Sequence, residues 1–361
     1  MSELAQPVPG ARVAGKYELI EIAGKGGMAT VWRAYQHGPG NFRRQVAVKQ
    51  LYPHLAEQAM YEEMFIEEAR VGAELRDPNI AQVYDFISDS KQYYLILEWI
   101  EGIELATYID YLVAVAQRPA RWENMVAAGI GMLRGLSAAH ERVDEDGAPQ
   151  PIVHRDVSPH NLVISETGNA RLIDFGLSLA TDRPGEDTDP GIAKGKISYL
   201  APEILHGGRA NPLSDQFSAA ATLWEALSGR KLFFGETPHE TLRMIADGRT
   251  VPLQAMRADV PVELCHAVHK ALSPDPAHRF PSTRVFANQL ATILAASNVR
   301  DTYTGLGETV REARLQLALG HRSQPAAPAP RAKEDESAVI ELENTDLEKP
   351  NVSELWTLPG S

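Results

Sequence analysis

The stretch IVHRDVSPHNLVI, residues 152–164, places histidine, arginine, aspartate, serine and asparagine between two apolar runs. A further aspartate, Asp174, follows in LIDFG after another apolar segment. The side-chain oxygens of Asn161 and Asp174 suit Mg²⁺, a hard cation that takes few protein ligands and keeps positions for water and phosphate. Asp156 would then receive the proton of a hydroxyl group. Aspartate and asparagine are also ordinary turn formers, but turn formation does not explain why all of them recur in this order.

Two upstream motifs add groups that bind phosphate. AGKGGMATVW, residues 23–32, contains a Gly-rich turn between two strand-like runs, where backbone N–H groups can point at phosphate oxygens. A hairpin turn would by itself explain these glycines. VAVK places Lys49 on an otherwise apolar strand. An edge-strand lysine that prevents aggregation is the alternative to a cation held in a cleft for phosphate.

The elements that must position these residues change in type along the chain. Between Tyr17 and about residue 100 the pattern is strand-like, interrupted by one helical stretch over about residues 57–75. After Gly102 the apolar spacing becomes helical and stays so to about residue 295. This change predicts an α+β fold with a small β-rich lobe, a larger α-helical lobe and a cleft between the two.

The order of the motifs carries a family resemblance. The Gly-rich loop, VAVK, HRD with its following asparagine, DFG and APE occur in this order within about residues 17–295. In this the chain resembles bacterial eukaryotic-type (Hanks-type) Ser/Thr protein kinases. The resemblance implies the bilobal protein-kinase fold, ATP and Mg²⁺ as cofactors, and transfer of the γ-phosphate to Ser or Thr hydroxyls of protein substrates, with autophosphorylation, in bacterial signalling. The alternative from another class is a pseudokinase, an ATP-binding scaffold that acts through its conformation and its C-terminal tail.

The resemblance assigns roles to the catalytic and metal-binding residues one by one. Asp156 would orient or deprotonate the acceptor hydroxyl, while Asn161 and Asp174 would hold Mg²⁺. Lys49 would contact the α- and β-phosphates and pair with an acidic residue on the helical stretch that follows it. Glu68 has the better register for this pair, and its N-terminal neighbour is the alternative.

The resemblance also assigns the residues that would surround the nucleotide. Gly24 and Gly26 would cover the phosphates, and apolar residues would enclose adenine. Glu98 and Ile100 would contact adenine through their backbone, and Glu104 would reach the ribose. In chain order these residues are Ile22, Gly24, Gly26, Val31, Ala47, Lys49, Glu98, Ile100, Glu104 and Val163.

Three further residues would support the larger lobe by the same resemblance. Glu203 in APE would pair with the distant Arg279 in DPAHRF, and loss of one member of such a buried pair costs about 3–5 kcal/mol. Asp215 would anchor the backbone of the catalytic loop. Taken alone, Asp215 would pass for an ordinary aspartate at a helix N-terminus.

The chain departs from the family at two positions that lie close together in the kinase fold. Ser158 stands two residues after Asp156, where these kinases usually carry lysine, and Lys196 stands in GKISYLAPE where threonine is usual. Because lysine binds phosphate as a point charge, we hypothesise that Lys196 supplies the missing cation and Ser158 the missing hydroxyl. An ordinary surface lysine is the alternative for Lys196.

The segment between DFG and APE would carry regulation. Arg155 precedes the catalytic aspartate, an arrangement that the family often couples to phosphorylation of this segment, because phosphate gains charge-assisted bonds from arginine. Thr181 and Thr188 are the predicted phosphorylation sites. The residues around Thr188 are already acidic, so their carboxylates would partly mimic a phosphate, and an ordinary solvated loop is the alternative.

The overall composition limits the partners and the compartment. With 48 acidic and 35 basic residues, the formal net charge of -13 would repel a nucleic-acid backbone. The single cysteine, Cys265, excludes an internal disulfide and fits a reducing compartment. The sequence contains neither a signal-peptide pattern nor an apolar run long enough to cross a bilayer. We therefore expect a cytoplasmic protein without a membrane span, and the sequence leaves its oligomeric state open.

Composition also predicts the boundaries along the chain. From about residue 323 the sequence is rich in proline and alanine and then acidic with scattered apolar residues, which favours disorder; a segment that folds on a tail-binding partner is the alternative. The expected organisation is a flexible N-terminus over residues 1–12, a kinase domain over 13–295 with an N-lobe of about 13–100 and a C-lobe of about 101–295, one more helix over 296–322, and a disordered acidic tail over 323–361.

Overall fold

A computed structural model describes residues 8–89, 92–144, 146–175, 197–297, 299 and 301–323. The predicted phosphorylation sites Thr181 and Thr188, the predicted catalytic Lys196, and the chain from residue 324 onward lie outside these residues. The chain divides into two units, residues 1–320 and 321–361. Of the second unit the structure describes residues 321–323, which end the last helix of the chain.

The first lobe is built on a six-stranded antiparallel sheet with the strand order β1-β2-β3-β4-β6-β5. Alternation along β4 gives this strand two different faces. Val46 and Val48 are buried in an apolar cluster with Trp32, whereas Ala47 and Lys49 belong to the opposite face. The strands are β1 Arg12–Val13, β2 Tyr17–Lys25, β3 Ala29–His37, β4 Arg43–Leu51, β5 Val83–Asp89 and β6 Gln92–Glu98.

Two helices, α1 Pro53–Ala56 and α2 Ala59–Glu74, follow β4 and pack on this sheet. Phe65 and Ala69, four residues apart on one face of α2, are buried in a cluster with Leu95 of β6. Glu68 lies next to Ala69 and is only 7% exposed. The apolar face of α2 therefore carries one carboxylate into the interior.

The second lobe begins with a three-stranded antiparallel sheet and continues as helices. Strands β7 Gly102–Glu104, β8 Leu162–Ser165 and β9 Ala170–Leu172 pair in the order β7-β8-β9. The remaining helices are α3 Leu105–Asp110, which continues into a π-helical turn Tyr111–Val115, α4 Trp122–His140, α5 Pro202–Leu205, α6 Pro212–Ser228, α7 Pro238–Ala246, α8 Leu253–Met256, α9 Val262–Ala271, α10 Thr283–Ala296 and α11 Thr302–Ser323. Short 3₁₀-helices cover Pro39–Asn41, Pro159–Asn161 and Pro276–His278.

Helices α4 and α6 form the centre of the second lobe. Both are buried on nearly all sides, because their sequences are apolar around the whole circumference rather than on one stripe. The predicted α+β fold, with a β-rich first lobe and a helical second lobe, is confirmed. None of the helices in the described part of the chain combines the length and the apolar character needed to span a membrane.

Helix α11 packs closely against the turn between β8 and β9. A Cβ atom on Gly307 would lie 2.3 Å from the carbonyl oxygen of Glu166, and a Cβ on Gly168 would lie 1.9 Å from that of Tyr303. Gly168 also has a φ of 81°, which other residues rarely adopt. Three apolar residues of α11 are fully buried in the main core, namely Leu306, Val310 and Ala313.

The contact at Gly307 yields a paired stability test. Gly307→Ala forces a methyl group against a backbone carbonyl, so we expect it to lower the free energy of unfolding by about 1–3 kcal/mol. Gly305→Ala, two residues earlier on the same helix, meets no atom within 4 Å and is expected to raise it by about 0.5–1 kcal/mol, since alanine is the better helix former. Urea unfolding of both variants measures the difference, and equal effects would contradict the observed packing of α11.

Candidate active site

The site centres on the buried ammonium group of Lys49, which contacts two carboxylates. Its Nζ lies 2.6 Å from Glu68 Oε1 and 3.0 Å from Asp174 Oδ1. Burial by itself would lower the pKa of Lys49, but the carboxylates of Asp174 and Glu68 outweigh it and raise this pKa above its usual range. Lys49 is therefore charged. Glu67, the alternative partner, instead pairs with Arg70 on the surface of α2.

The predicted catalytic aspartate and metal ligand lie side by side on the catalytic loop, residues 154–161. The side-chain Nδ2 of Asn161 donates to the carbonyl oxygen of Asp156 at 2.7 Å and to its Oδ2 at 3.0 Å. The carbonyl oxygen of Asn161 accepts from the backbone N–H of Ile173 at 3.0 Å, which brings the loop next to Asp174. Asp156, Asn161 and Asp174 are thus brought together from two separate segments.

The backbone of the catalytic loop is held by Asp215, which is 1% exposed. Its Oδ2 accepts from the N–H of His154 at 2.7 Å and its Oδ1 from the N–H of Arg155 at 2.9 Å. His140 Nε2 lies 2.8 Å from the same carboxylate. Arg155 has a φ of 65°, an unfavourable value for a residue with a side chain, and the bonds to Asp215 hold it there.

His154 links the catalytic loop to the DFG motif, a contact that the motif pattern alone does not identify. Its ring packs against Phe175 with centroids 4.6 Å apart. Its Nε2 donates to the carbonyl oxygen of Ile173 at 3.3 Å, while its Nδ1 accepts from the N–H of Asp156. The histidine thereby spans both segments that carry the acidic groups.

The residues predicted to surround a nucleotide come from both sheets and from the connection between them. Gly24 pairs with Val31 across β2 and β3, and the N–H of Gly26 bonds the carbonyl of Ala29 at 2.8 Å to close the turn. Ala47 lies on β4 opposite Leu97 of β6. The others lie on β2, at the end of β6, between β6 and β7, and on the paired β7 and β8: Ile22, Glu98, Ile100, Glu104 and Val163.

The connection between β6 and β7, here called the hinge (residues 98–101), has a polar anchor at its start. The carboxylate of Glu98 forms an ion pair with Arg171 of β9. The backbone N–H of Glu98 also donates to the carbonyl oxygen of Gln82 at 2.8 Å. Arg171 stands among apolar residues of a short strand, and local spacing gives no signal for its partner.

Of the two departures from the family pattern, the structure describes Ser158 and not Lys196. Ser158 is buried, at 4% exposed, immediately before the 3₁₀-helix of the catalytic loop, and its carbonyl oxygen accepts from the N–H of Asn161 at 3.0 Å. Lys196 lies outside the described residues, so the exchange between Ser158 and Lys196 stays a prediction.

Two buried pairs support the segment that follows residue 196. Tyr199 OH donates to Glu225 Oε2 on α6 at 2.7 Å, and burial raises the pKa of both groups. Arg279 donates to both carboxylate oxygens of Glu203 at 2.8 and 2.7 Å. The Arg279 side chain is 0% exposed and the Glu203 side chain 16%, so this pair is largely shielded from water.

Comparison with known families and proteins agrees with this geometry. Residues 17–290 match the protein kinase domain family. The chain is 34% identical to the tyrosine-protein kinase MasK of Myxococcus xanthus over 78% of its length and 43% of the relative's. It is 28% identical to the serine/threonine-protein kinase PrkC of Bacillus subtilis over 81% of its length and 42% of the relative's. It is 30% identical to the serine/threonine-protein kinase PknA of Mycobacterium tuberculosis over 80% of its length and 64% of the relative's.

The solved structures extend the comparison to the fold. The crystal structure of the Mycobacterium tuberculosis PknI kinase domain has a TM-score of 0.59 and 24% sequence identity, covering 80% of this chain and 99% of that one. By contrast, the chain spans less than two thirds of the length of the curated relatives named above. The likeness therefore concerns one domain of those longer proteins.

The ion pair between Glu203 and Arg279 can be tested by removing one partner. Glu203→Ala leaves a fully buried guanidinium without its carboxylate, and we expect the free energy of unfolding to fall by about 3–5 kcal/mol. The matched control is Arg284→Ala, which removes one member of an exposed, equally bidentate pair with Glu141 and should cost no more than about 1 kcal/mol. Urea unfolding measures both. Similar losses would show that burial does not set the strength of the Glu203 pair.

Proposed function

Since this chain belongs to the protein kinase domain family, as its motifs predict, we propose that it is an active kinase that transfers the γ-phosphate of ATP to Ser or Thr hydroxyls of proteins. The observation that carries the proposal is the convergence of Lys49, Glu68 and Asp174 beside the paired Asp156 and Asn161. The groups assigned to the α- and β-phosphates, to the cation and to the acceptor proton are all present, and only the lysine usual two residues after Asp156 is replaced, by Ser158. A pseudokinase scaffold would not need this complete set.

The residues present fit Mg²⁺. Asn161 uses its amide nitrogen for both bonds to Asp156, which leaves the amide oxygen as the atom suited to a hard cation. Asp174 adds a carboxylate from the neighbouring segment. Two protein oxygens suffice for Mg²⁺, which keeps water and phosphate as its other ligands. When bound with ATP, the ion would neutralise charge on the phosphates.

The chain's own residues would act mainly by positioning. Lys49, held by Glu68, would place its charge against the α- and β-phosphates, and nucleotide binding would compete with Asp174 for this contact. Asp156, oriented by Asn161, would align the acceptor hydroxyl and take its proton. Phosphoryl transfer needs little covalent participation by the protein, so geometry and charge account for the rate.

Tyrosine hydroxyls are the second candidate acceptor. One relative, MasK, is named a tyrosine-protein kinase, and Ser158 occupies the position where Ser/Thr kinases usually carry lysine. Acceptor choice therefore has to be read from the product. Acid hydrolysis of labelled substrate followed by separation of phosphoserine, phosphothreonine and phosphotyrosine distinguishes the two candidates.

Three finer expectations remain proposals. Thr181 and Thr188 are the proposed phosphorylation sites that would order the segment after DFG. The tail over residues 323–361 is proposed to be acidic and disordered, with binding of a partner as its alternative role. Protein substrates are the proposed partners.

Replacing the catalytic aspartate tests the proposed function. Asp156→Asn keeps the size of the side chain but removes the proton acceptor, so we expect phosphate transfer to a generic basic protein and to the kinase itself to fall by at least about 10²-fold. The affinity for Mg·ATP should change little. Transfer of γ-³²P from ATP and isothermal titration measure the two quantities. Equal transfer by wild type and variant, with nucleotide bound, would leave only the scaffold function.

The proposed exchange between Ser158 and Lys196 has its own test. Lys196→Ala is expected to slow transfer by about 10²–10³-fold while nucleotide affinity survives, because a cation that contacts the γ-phosphate is lost. Lys194→Ala, two residues away in the same segment, is the matched control and should retain near-normal turnover. Near-normal turnover in Lys196→Ala would refute the exchange and make Lys196 an ordinary surface residue.

A further inference from the structure

Helix α11 lies beyond the residues that match the kinase family, yet it contacts the hinge. The match ends at residue 290, and α11 begins at Thr302. Arg314 of α11 donates to Glu101 Oε2 at 2.7 Å and also forms an ion pair with Glu166 in the turn between β8 and β9. Glu101 is the last residue of the hinge, so a helix outside the family match is bonded directly to the connection between the lobes.

Glu101 is held through both its backbone and its side chain. Its carbonyl oxygen accepts from the N–H of Glu166 at 2.9 Å, and its Oε1 accepts from the indole N–H of Trp99 at 2.9 Å. Partial burial opposes ionisation, but the hydrogen bonds from Arg314 and Trp99 outweigh it and lower the pKa of Glu101. The carboxylate is therefore ionised at neutral pH, and it ties one hinge side chain, Trp99, to α11.

Both ends of the hinge are thus anchored by arginines from the second lobe. Arg171 holds Glu98 at the start, and Arg314 holds Glu101 at the end. Ile100 lies between these two anchors. The proposed adenine contacts are backbone groups of Glu98 and Ile100, and a backbone contact is only as well placed as the segment that carries it.

The close packing of α11 makes Arg314 a rigid anchor. Gly307 and Gly168 let the helix and the turn approach through their backbones, as described above. Tyr108 OH on α3 also donates to Thr309 of α11 at 2.7 Å, and Arg311 donates to the carbonyl oxygen of Glu166 at 3.2 Å. Arg314 therefore projects from a helix that is fixed in the two turns before it.

We propose that Arg314 is a positioning residue for nucleotide binding, which keeps the hinge backbone in its adenine-contacting conformation by holding Glu101. The inference rests on the proposed function, because it takes the hinge as the adenine site. Without this anchor the hinge samples other conformations. The apparent Kd for ATP then rises, because a smaller fraction of the molecules has the hinge conformation that binds adenine. Arg314 contacts Glu101 and Glu166, neither of which is assigned a part in phosphate transfer, so kcat is retained.

The test compares Arg314→Gln, Arg314→Lys and Arg284→Gln in the full chain. Arg314→Gln is expected to raise the Kd of Mg·ATP, measured by isothermal titration, and the KM for ATP by about three- to tenfold, with kcat within about twofold. Arg314→Lys keeps a cation and should recover most of the affinity. Arg284→Gln removes a comparable arginine, on α10, from its exposed pair with Glu141 and should leave Kd unchanged.

An unchanged Kd in Arg314→Gln, or an equal increase in Arg284→Gln, overturns the proposal. If Arg314→Gln does not fold, Glu101→Gln removes the charge from the other partner and must raise Kd in the same way; an unchanged Kd there is equally decisive. The proposed function is tested separately. Wild-type protein that binds Mg·ATP but transfers no phosphate would refute the kinase activity, while the comparison of Kd values would still decide the role of Arg314.

Discussion

The buried charge of Lys49 is the constraint on which the site depends. An ammonium group removed from water is strongly destabilising unless carboxylates and hydrogen bonds compensate. The compensating groups, Glu68 and Asp174, come from α2 in the first lobe and from the segment after β9 in the second. Correct pairing therefore requires the sheet, helix α2 and the DFG segment to be in place together. The charge of Lys49 is therefore compensated only when both lobes are assembled.

The catalytic loop is stabilised in a different way, by a buried carboxylate that accepts backbone N–H groups. Asp215 replaces the hydrogen bonds that regular secondary structure would have supplied to residues 154 and 155. This permits an irregular backbone with positive φ at Arg155, and Asp174 has a φ of 54° in the neighbouring segment. Strained conformations of this kind persist only where the surroundings over-determine them, and both occur beside the proposed catalytic groups.

Much of this organisation could be predicted, because it follows from the local spacing of apolar residues along the chain. The change from strand to helical spacing near residue 100 predicts the two lobes, and helical periodicity after residue 300 predicts a helix where α11 is found. The apolar register of α2 favours Glu68 over Glu67 as the partner of Lys49, and the structure gives Lys49 that contact.

The contacts that could not be predicted are ion pairs between distant residues that belong to no family motif. Nothing in the residues next to Arg171 or Arg314 specifies Glu98 or Glu101 as the partner. The residues around Gly307 likewise give no signal that its backbone lies against Glu166. Such pairs follow from how whole elements pack, which is a property of the assembled core rather than of any short segment.

The packing therefore includes α11 among the elements that support the proposed nucleotide site, although the motifs end before this helix. Leu306, Val310 and Ala313 are fully buried, and burial of side chains such as leucine and valine contributes about 1.5–3 kcal/mol each. A helix held this firmly cannot be treated as a linker between the kinase fold and the residues after it. Because the same helix carries the arginine that bonds the hinge, its stability and the position of the hinge backbone are coupled. A change that loosens α11 would thus act on the hinge without altering any residue of the motifs.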